Sequence, residues 1–379
     1  MDERINSILQ KEEEKYYPLL KEAIASSKRY PINSKACQTR IVDELEIIHH
    51  QRFSKAVWYC HLLSKEARSH KEPFYLKGTP ADLYVLYILE VLKNSPLANR
   101  CCYQACLGTK EHPRAAFWFE MSFRKSFVNH IMDFAKKIDQ DTTSYHYSFH
   151  INEDPVTYEP GSMFVLSNSV PVSDYFVAKE QSGSDMKIIG EKEECSFNAG
   201  ILFDIVVSPF LSLLYALEEK FGAVSIKKAF PNYLSIGKDN DFNSDYFVKL
   251  FSHFKIEKYE DAISQEAMVR SSHAIENIKT YVFSDRESVF DFFTRFLGAP
   301  KNDAYYFMEK IRKGAFRNEF FDDDFFTEIM RERELNDLNN INYLLSRGHA
   351  AEIAYIRVKL AYYYVNHKEE YLSLKKHYE

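Results

Sequence analysis

Apolar residues at helical spacing dominate the first part of the chain. Ile5, Ile8 and Leu9, then Tyr16, Leu19 and Leu20, line one face of a charged helical stretch within residues 1–30. A second helix is predicted from Lys35 to His49, capped by Asn33 or Ser34, with Ile41, Leu45 and Ile48 as its stripe. Residues 52–69 continue helically through Phe53, Val57, Leu62 and Leu63. Pro73 to Pro80 then reads as a short strand closing on a turn, and Ala81 to Leu92 as an apolar helix ending before Pro96. Residues 98–113 read as a cysteine-containing loop. Phe117 to Phe123 alternates as a strand does, and Ser126 to Ile138 is amphipathic.

The middle of the chain changes character. Residues 139–162 are polar and rich in Tyr and His, as a loop or hairpin would be. Met163 to Leu166 and Tyr175 to Lys179 read as short strands, and Ser182 to Glu194 as a polar hairpin turning on Gly183 and Gly190. Ile201 to Val207 is an apolar run that suits a buried strand. Ser208 caps the helix Pro209 to Phe221, with proline at its first position. Beyond Asp239 helices are expected at 241–254, 259–270, 272–283, 286–297, 302–313, 322–332 and 350–367. The pattern divides the chain into helices at 1–72, a mixed α/β part at 73–235 and a helical part at 236–379.

Composition narrows the functions this pattern can serve. The 379 residues are 45% hydrophobic and 15% aromatic, enough for a sizeable core. Glycine is scarce, 11 residues against roughly 27 at average usage. Neither a G-x-G-x-x-G nor a G-x-x-x-x-G-K-[ST] phosphate loop occurs. With 49 basic against 55 acidic residues the net charge is −6, so the overall field opposes nucleic acid. The start, Met1-Asp2-Glu3-Arg4, lacks the apolar core of a signal peptide. The most apolar stretch, Gly200 to Leu217, carries Asp204 and Pro209 and is read as strand then helix, so no membrane association is expected. Six cysteines in a chain this long suit reduced thiols and a cytoplasmic location.

One segment reads Asn339-Asn340-Ile341-Asn342-Tyr343-Leu344-Leu345-Ser346-Arg347-Gly348-His349-Ala350-Ala351, followed by Lys359-Leu360-Ala361-Tyr362-Tyr363. It resembles the I-K-Y-M-F-P-K-A-H-A-A-A-Y core and R-I-A-Y-F-K-V run of PolC-type DNA polymerase III alpha subunits. Met308-Glu309-Lys310-Ile311-Arg312-Lys313-Gly314 resembles that family's M-E-x-V-R-K-G, and Thr39 to Ile48 its E-R-x-E-K-E-L-x-x-I-I helix. Tyr75-Leu76-Lys77-Gly78-Thr79-Pro80 falls on Y-L-V-G-S-R-G-S, and Asn94-Ser95-Pro96-Leu97 on V-N-P-L-P-P. The order is kept over nearly the whole chain. The resemblance implies an α+β fold: a nucleotidyltransferase-like palm, a small mixed sheet with helices, joined to a largely helical thumb and fingers part.

The resemblance also shows what chemistry is kept. Such a palm holds two metal ions on three aspartates, because Mg²⁺ prefers hard carboxylate oxygen. The P-D-I-D-L-N-F strand matches Phe117 to Phe123, which puts Trp118 and Glu120 at the aspartate positions. The L-K-L-D-I-L-G strand matches Ile201 to Val207 and keeps Asp204. The phosphate loop survives as Gly78 and Thr79, followed by Pro80, Ala81 and Asp82, and the H-P-G-G turn keeps Gly161. Proline offers no N–H to phosphate, and Asp82 adds an acid where phosphate would sit. A polymerase-derived protein without catalysis is therefore expected, binding a replication protein or a phage or mobile-element factor; DNA is disfavoured by charge. No cofactor is expected. The alternative is an active nucleotidyltransferase using Glu120 and Asp204 with Mg²⁺ or Mn²⁺.

Other candidates carry weaker signals. Cys102 and Cys106 fall where the family carries a zinc element, but no second pair follows and zinc takes four ligands in a structural site. His146 and His150 lie four apart in an extended pattern. Asp322 to Asp324 precede a helix, where acids favour the dipole. Arg347, His349, Arg357 and Lys359, with Arg331 and Arg333, could form a face for nucleic acid or a partner, although Glu332, Glu334 and Glu352 intersperse them.

Overall fold

The computed structural model describes residues 3–110, 113–114, 117–138, 202–237, 239–243, 255–273, 283–312, 338 and 340–378, and the strand backbones of 142–151, 154–157, 162–167, 177–180 and 186–189. The fold is α+β. Helices α1 (Glu3–Ala25), α2 (Lys35–His50) and α3 (Ser54–Ser69) come first. Ser34 caps α2, its side chain accepting from the Cys37 N–H as a helix N-cap does. Strand β1 (Tyr75–Lys77), a 3₁₀ turn (Thr79–Asp82), and the short helices α4 (Tyr84–Ile88) and α5 (Gln104–Leu107) lead to β2 (Trp118–Phe123) and α6 (Lys125–Ile138).

Strands β3 (Thr142–Ile151), β4 (Asp154–Thr157), β5 (Ser162–Ser167), β6 (Val177–Glu180), β7 (Met186–Ile189) and β8 (Leu202–Val207) complete a mixed sheet. Its order is β1-β2-β8-β5-β3-β7-β6, with β4 paired to β3. The β2–β8 and β3–β7 pairs are parallel and the others antiparallel. The polar stretch at 139–162 thus holds the β3–β4 hairpin, and the next hairpin joins β6 to β7.

Helices α7 (Pro209–Phe221), α8 (Ile226–Ser235) and α9 (Tyr259–Arg270) follow. Pro209 stands at the first turn of α7, but the Ser208 side chain makes no capping hydrogen bond. Strand β9 (Ser272–His273) pairs with β10 (Ile341–Tyr343), where a helix over 272–283 was expected. Helix α10 (Arg286–Asp291) runs into a π turn at Phe292–Phe296. Helices α11 (Lys301–Ile311), α12 (Arg347–Asn366) and α13 (Lys368–Tyr378) complete the chain. The helix expected at 322–332 lies outside the described residues, as does 244–254 of the one expected at 241–254.

The apolar run 81–92 does not form one helix. Leu83 is extended, with φ −86° and ψ 122°. The buried Glu44 carboxylate of α2 accepts the Tyr84 and Val85 N–H groups at 2.9 Å each, so a new helix starts there. Arg40 pairs with Glu44 and also donates to the carbonyls of Asp82 and Cys101, both at 3.1 Å. Alternation along β2 and β8 sends Phe119, Met121, Phe123, Phe203 and Ile205 to one face, where they join Tyr59 and Leu63 of α3 in one core. A second core holds Tyr75, Leu211 and Tyr233 together with Ala262, Ile356 and Leu360, so residues on both sides of position 235 pack into it. Glu352 of α12 fixes the helix to the Asn94 segment, accepting the Lys93 and Asn94 N–H groups at 3.0 and 3.1 Å.

Candidate functional site

Glu120 and Asp204 meet on the sheet. Parallel pairing sets Glu120 of β2 directly against Asp204 of β8, and antiparallel pairing sets Lys77 of β1 against Glu120 on the other side. Side chains alternate between faces along a strand. With the phenylalanines on the α3 side, Lys77, Glu120 and Asp204 form a polar row on the opposite face. Lys77 and Glu120 form an ion pair. Burial draws the Lys77 pKa down, but Tyr75 and Glu120 outweigh it and the net direction is up, so the lysine stays charged. Asp204 is buried, as is Ser122. Trp118 occupies the third position of the row on β2. This donor set does not fit a two-metal centre: an ammonium group already neutralises Glu120, and indole is no ligand for a hard cation.

The loop beyond β1 packs against the start of α12. Gly78 has φ +78°, the left-handed region that glycine adopts without strain. The first N–H groups of a helix need partners. Here Glu287 accepts from Arg347 N–H at 2.8 Å, Asp82 accepts from Gly348 N–H at 2.8 Å, and the Ser346 hydroxyl accepts from His349 N–H at 3.4 Å. The same hydroxyl donates to the Gly78 carbonyl at 3.3 Å. Packing is closest at Gly348, where a Cβ would lie 2.2 Å from the Ala81 carbonyl oxygen.

Behind this contact lies a buried charged cluster. Asp82, Cys101 and Glu287 place one ligand-type atom each within 4.8 Å of the others. Burial, then the neighbouring Glu287, pushes the Asp82 carboxyl well above the usual range. Burial and Asp285 push Glu287 up, and burial pushes up the Cys101 thiol. Arg347 grips Asp285 through two nitrogens at 2.8 and 2.9 Å. Burial opposes the Arg347 charge, but Asp285 outweighs it and the net direction is up. With guanidinium groups of Arg347, Arg286 and Arg40 around it, the cluster suits a proton held between carboxyl groups better than a metal cation.

The cations expected to form an interaction face are turned inward. Arg347 binds Asp285, Arg357 lies 2.7 Å from Glu266 and also meets Asn243, and Lys359 pairs with Glu218. Their side chains are only 15%, 17% and 7% exposed, so carboxylates from other elements have drawn a surface stripe into the interior. His349 is half-buried, and burial, then Lys77, Arg270 and Arg286, take its pKa down to about 3. Cys102 and Cys106 are buried free thiols pushed up by burial, which suppresses the thiolate that zinc requires. Among the described residues neither joins two further ligand-type side chains. Gly161, Arg331, Arg333 and Asp322 to Asp324 lie outside the described residues.

Two features escaped the sequence reading. The Arg40–Glu44 brace was legible only as an i,i+4 pair, and the cluster of Glu66, His70 and His130 only as a Glu-x-x-x-His spacing on α3. Comparison with known proteins adds nothing to the geometry: no family model matches the chain, and no curated protein matches it either. Among the described residues no helix is long and apolar enough to cross a membrane.

Proposed function

We propose that the chain is a non-catalytic binding protein on a polymerase-like frame, whose ligand is a protein of replication or of a phage or mobile element. One observation carries the reading. The helix N-terminus facing the Gly78 loop, a natural anion site, is closed by the chain's own Asp82 and Glu287. Two further points support it. Glu120 is neutralised by Lys77, and the cations of α12 are bound to internal carboxylates rather than offered to phosphate. The net charge of −6 favours a protein over DNA.

The register of Glu120 against Asp204 favours one competing reading, a residual nucleotidyltransferase. Primer extension and nucleotide incorporation with Mg²⁺ or Mn²⁺, beside an Asp204→Ala control, separate the two. No incorporation above the control is expected; incorporation lost in the control would establish the competing reading. Cross-linking and mass measurement of complexes from the native source would identify the partner. A complex with nucleic acid alone, its affinity falling steeply with salt, would reject the protein-partner reading.

A further inference from the structure

Away from the sheet and the α12 terminus, three metal-binding side chains converge at the surface. Glu66 lies in the last turn of α3, His70 ends that helix, and His130 stands on α6. Positions four apart on a helix share a face, and α6 packed beside α3 brings the third side chain from far along the chain. Glu66 Oε1 lies 2.8 Å from His130 Nε2 and 3.6 Å from His70 Nδ1. One ligand atom from each residue lies within 4.8 Å of the other two. The imidazole centroids are 4.5 Å apart, and the Phe127 ring packs against both, at 5.7 and 4.8 Å. His70 Nδ1 is also 3.1 Å from the Glu66 backbone carbonyl oxygen and 3.1 Å from Ser69 Oγ.

We propose that Glu66, His70 and His130 form a binding site for a divalent transition-metal ion of the zinc type, completed by water. Two imidazoles and one carboxylate are the borderline donor set that zinc accepts, whereas Mg²⁺ and Ca²⁺ require oxygen throughout. Bonds of about 2.0–2.1 Å in a tetrahedron set ligand atoms about 3.3–3.4 Å apart. Two of the contacts, 2.8 and 3.6 Å, bracket that edge and the third pair lies within 4.8 Å, so side-chain rotation that releases His70 Nδ1 from the Glu66 carbonyl oxygen closes the site. The histidine side chains are 47% and 44% exposed, which lets an ion enter and leaves room for solvent as the remaining ligand. Phe127 packs against both rings. An ion here ties the end of α3 to α6 and stabilises the folded chain by mass action.

The test uses the full chain, stripped by chelator, with zinc chloride followed by calorimetry and cobalt(II) by visible absorption. One saturable equivalent is expected, with tetrahedral cobalt bands and no thiolate charge-transfer band, and excess Mg²⁺ should not displace it. His130→Ala, His70→Ala and Glu66→Gln change exposed or half-buried positions, and their metal-free melting curves report whether they fold. Each should weaken binding at least about tenfold, and zinc should raise the melting temperature of the parent but not of His130→Ala. Absence of saturable binding, or binding unchanged in both histidine variants, overturns the proposal.

Discussion

Gly348→Ala tests how tightly the Gly78 loop is locked to α12. Alanine is the better helix former, so on an open helix the change would stabilise by up to about 1 kcal/mol. Here the new Cβ would lie 2.2 Å from the Ala81 carbonyl oxygen, 2.4 Å from its carbon and 2.5 Å from Asp82 Oδ1. Two of these are backbone atoms and cannot rotate aside. Overpacking at such a place costs about 3 kcal/mol, and the displaced Gly348–Asp82 hydrogen bond about 1 more, against the propensity gain of at most 1. The net expectation is a loss of roughly 3 kcal/mol. Urea unfolding followed by circular dichroism should show the midpoint falling by about 1 M, for a slope near 3 kcal/mol per M. A variant as stable as the parent, or more stable, would refute the close approach and with it the closed anion site.

Three further outcomes follow from the same cluster. A carboxyl whose folded pKa is raised contributes stability below its ordinary value, 3.8 for Asp82, and that contribution is lost as pH rises above it. Asp82→Asn should therefore remove a downward slope of unfolding free energy with pH and match or exceed the parent at pH 8; an unchanged slope would contradict the upward shift of Asp82. His349 has the opposite sign. Its folded pKa of about 3 against an ordinary 6.5 means stability is complete above 6.5 and lost as pH falls toward 3, so His349→Gln should flatten that limb of the same urea series. Arg347→Met should cost about 3–5 kcal/mol by leaving Asp285 buried without its guanidinium partner, and adding Asp285→Asn, which removes the charge but keeps an acceptor for the Ser288 N–H, should recover part of it; a double variant as weak as the single would show that the buried charge is not the cause.

Much of the frame was legible because it follows periods that local sequence expresses. The α2 helix with its Ser34 cap, the strands at 118–123 and 202–207, and α7 beginning at Pro209 each follow from spacing or cap chemistry within a few residues. The failures depend on partners far along the chain. The break at Leu83 depends on Glu44, and no property of the run 81–92 announces it. Strands β9 and β10 are two and three residues long, too short for any period to show. Arg347, Arg357 and Lys359 read as a surface stripe because Asp285, Glu266 and Glu218 lie on other elements. For the site, the register of Glu120 against Asp204 emerges only from the parallel pairing of β2 with β8, and the Lys77 pairing is likewise a tertiary fact that alternation alone does not reveal.

The groups that meet the α12 N-terminus decide what can enter between it and the Gly78 loop. A helix N-terminus attracts negative charge through its free N–H groups and its dipole, and a phosphate could supply that charge from outside. In this chain Asp82 and Glu287 supply it from within, at 2.8 Å each. An incoming phosphate would have to displace both. It would leave two carboxyl groups buried without these partners and would bring a further anion beside Asp285. Burial and neighbouring acids raise the pKa of both carboxyl groups, which records the difficulty of placing further charge in this space. Gly348 closes the remaining space by bringing the helix backbone against Ala81. Admitting a nucleotide here therefore requires the loop and helix to separate. On that ground a partner should be sought on the outer surface, rather than between the Gly78 loop and α12.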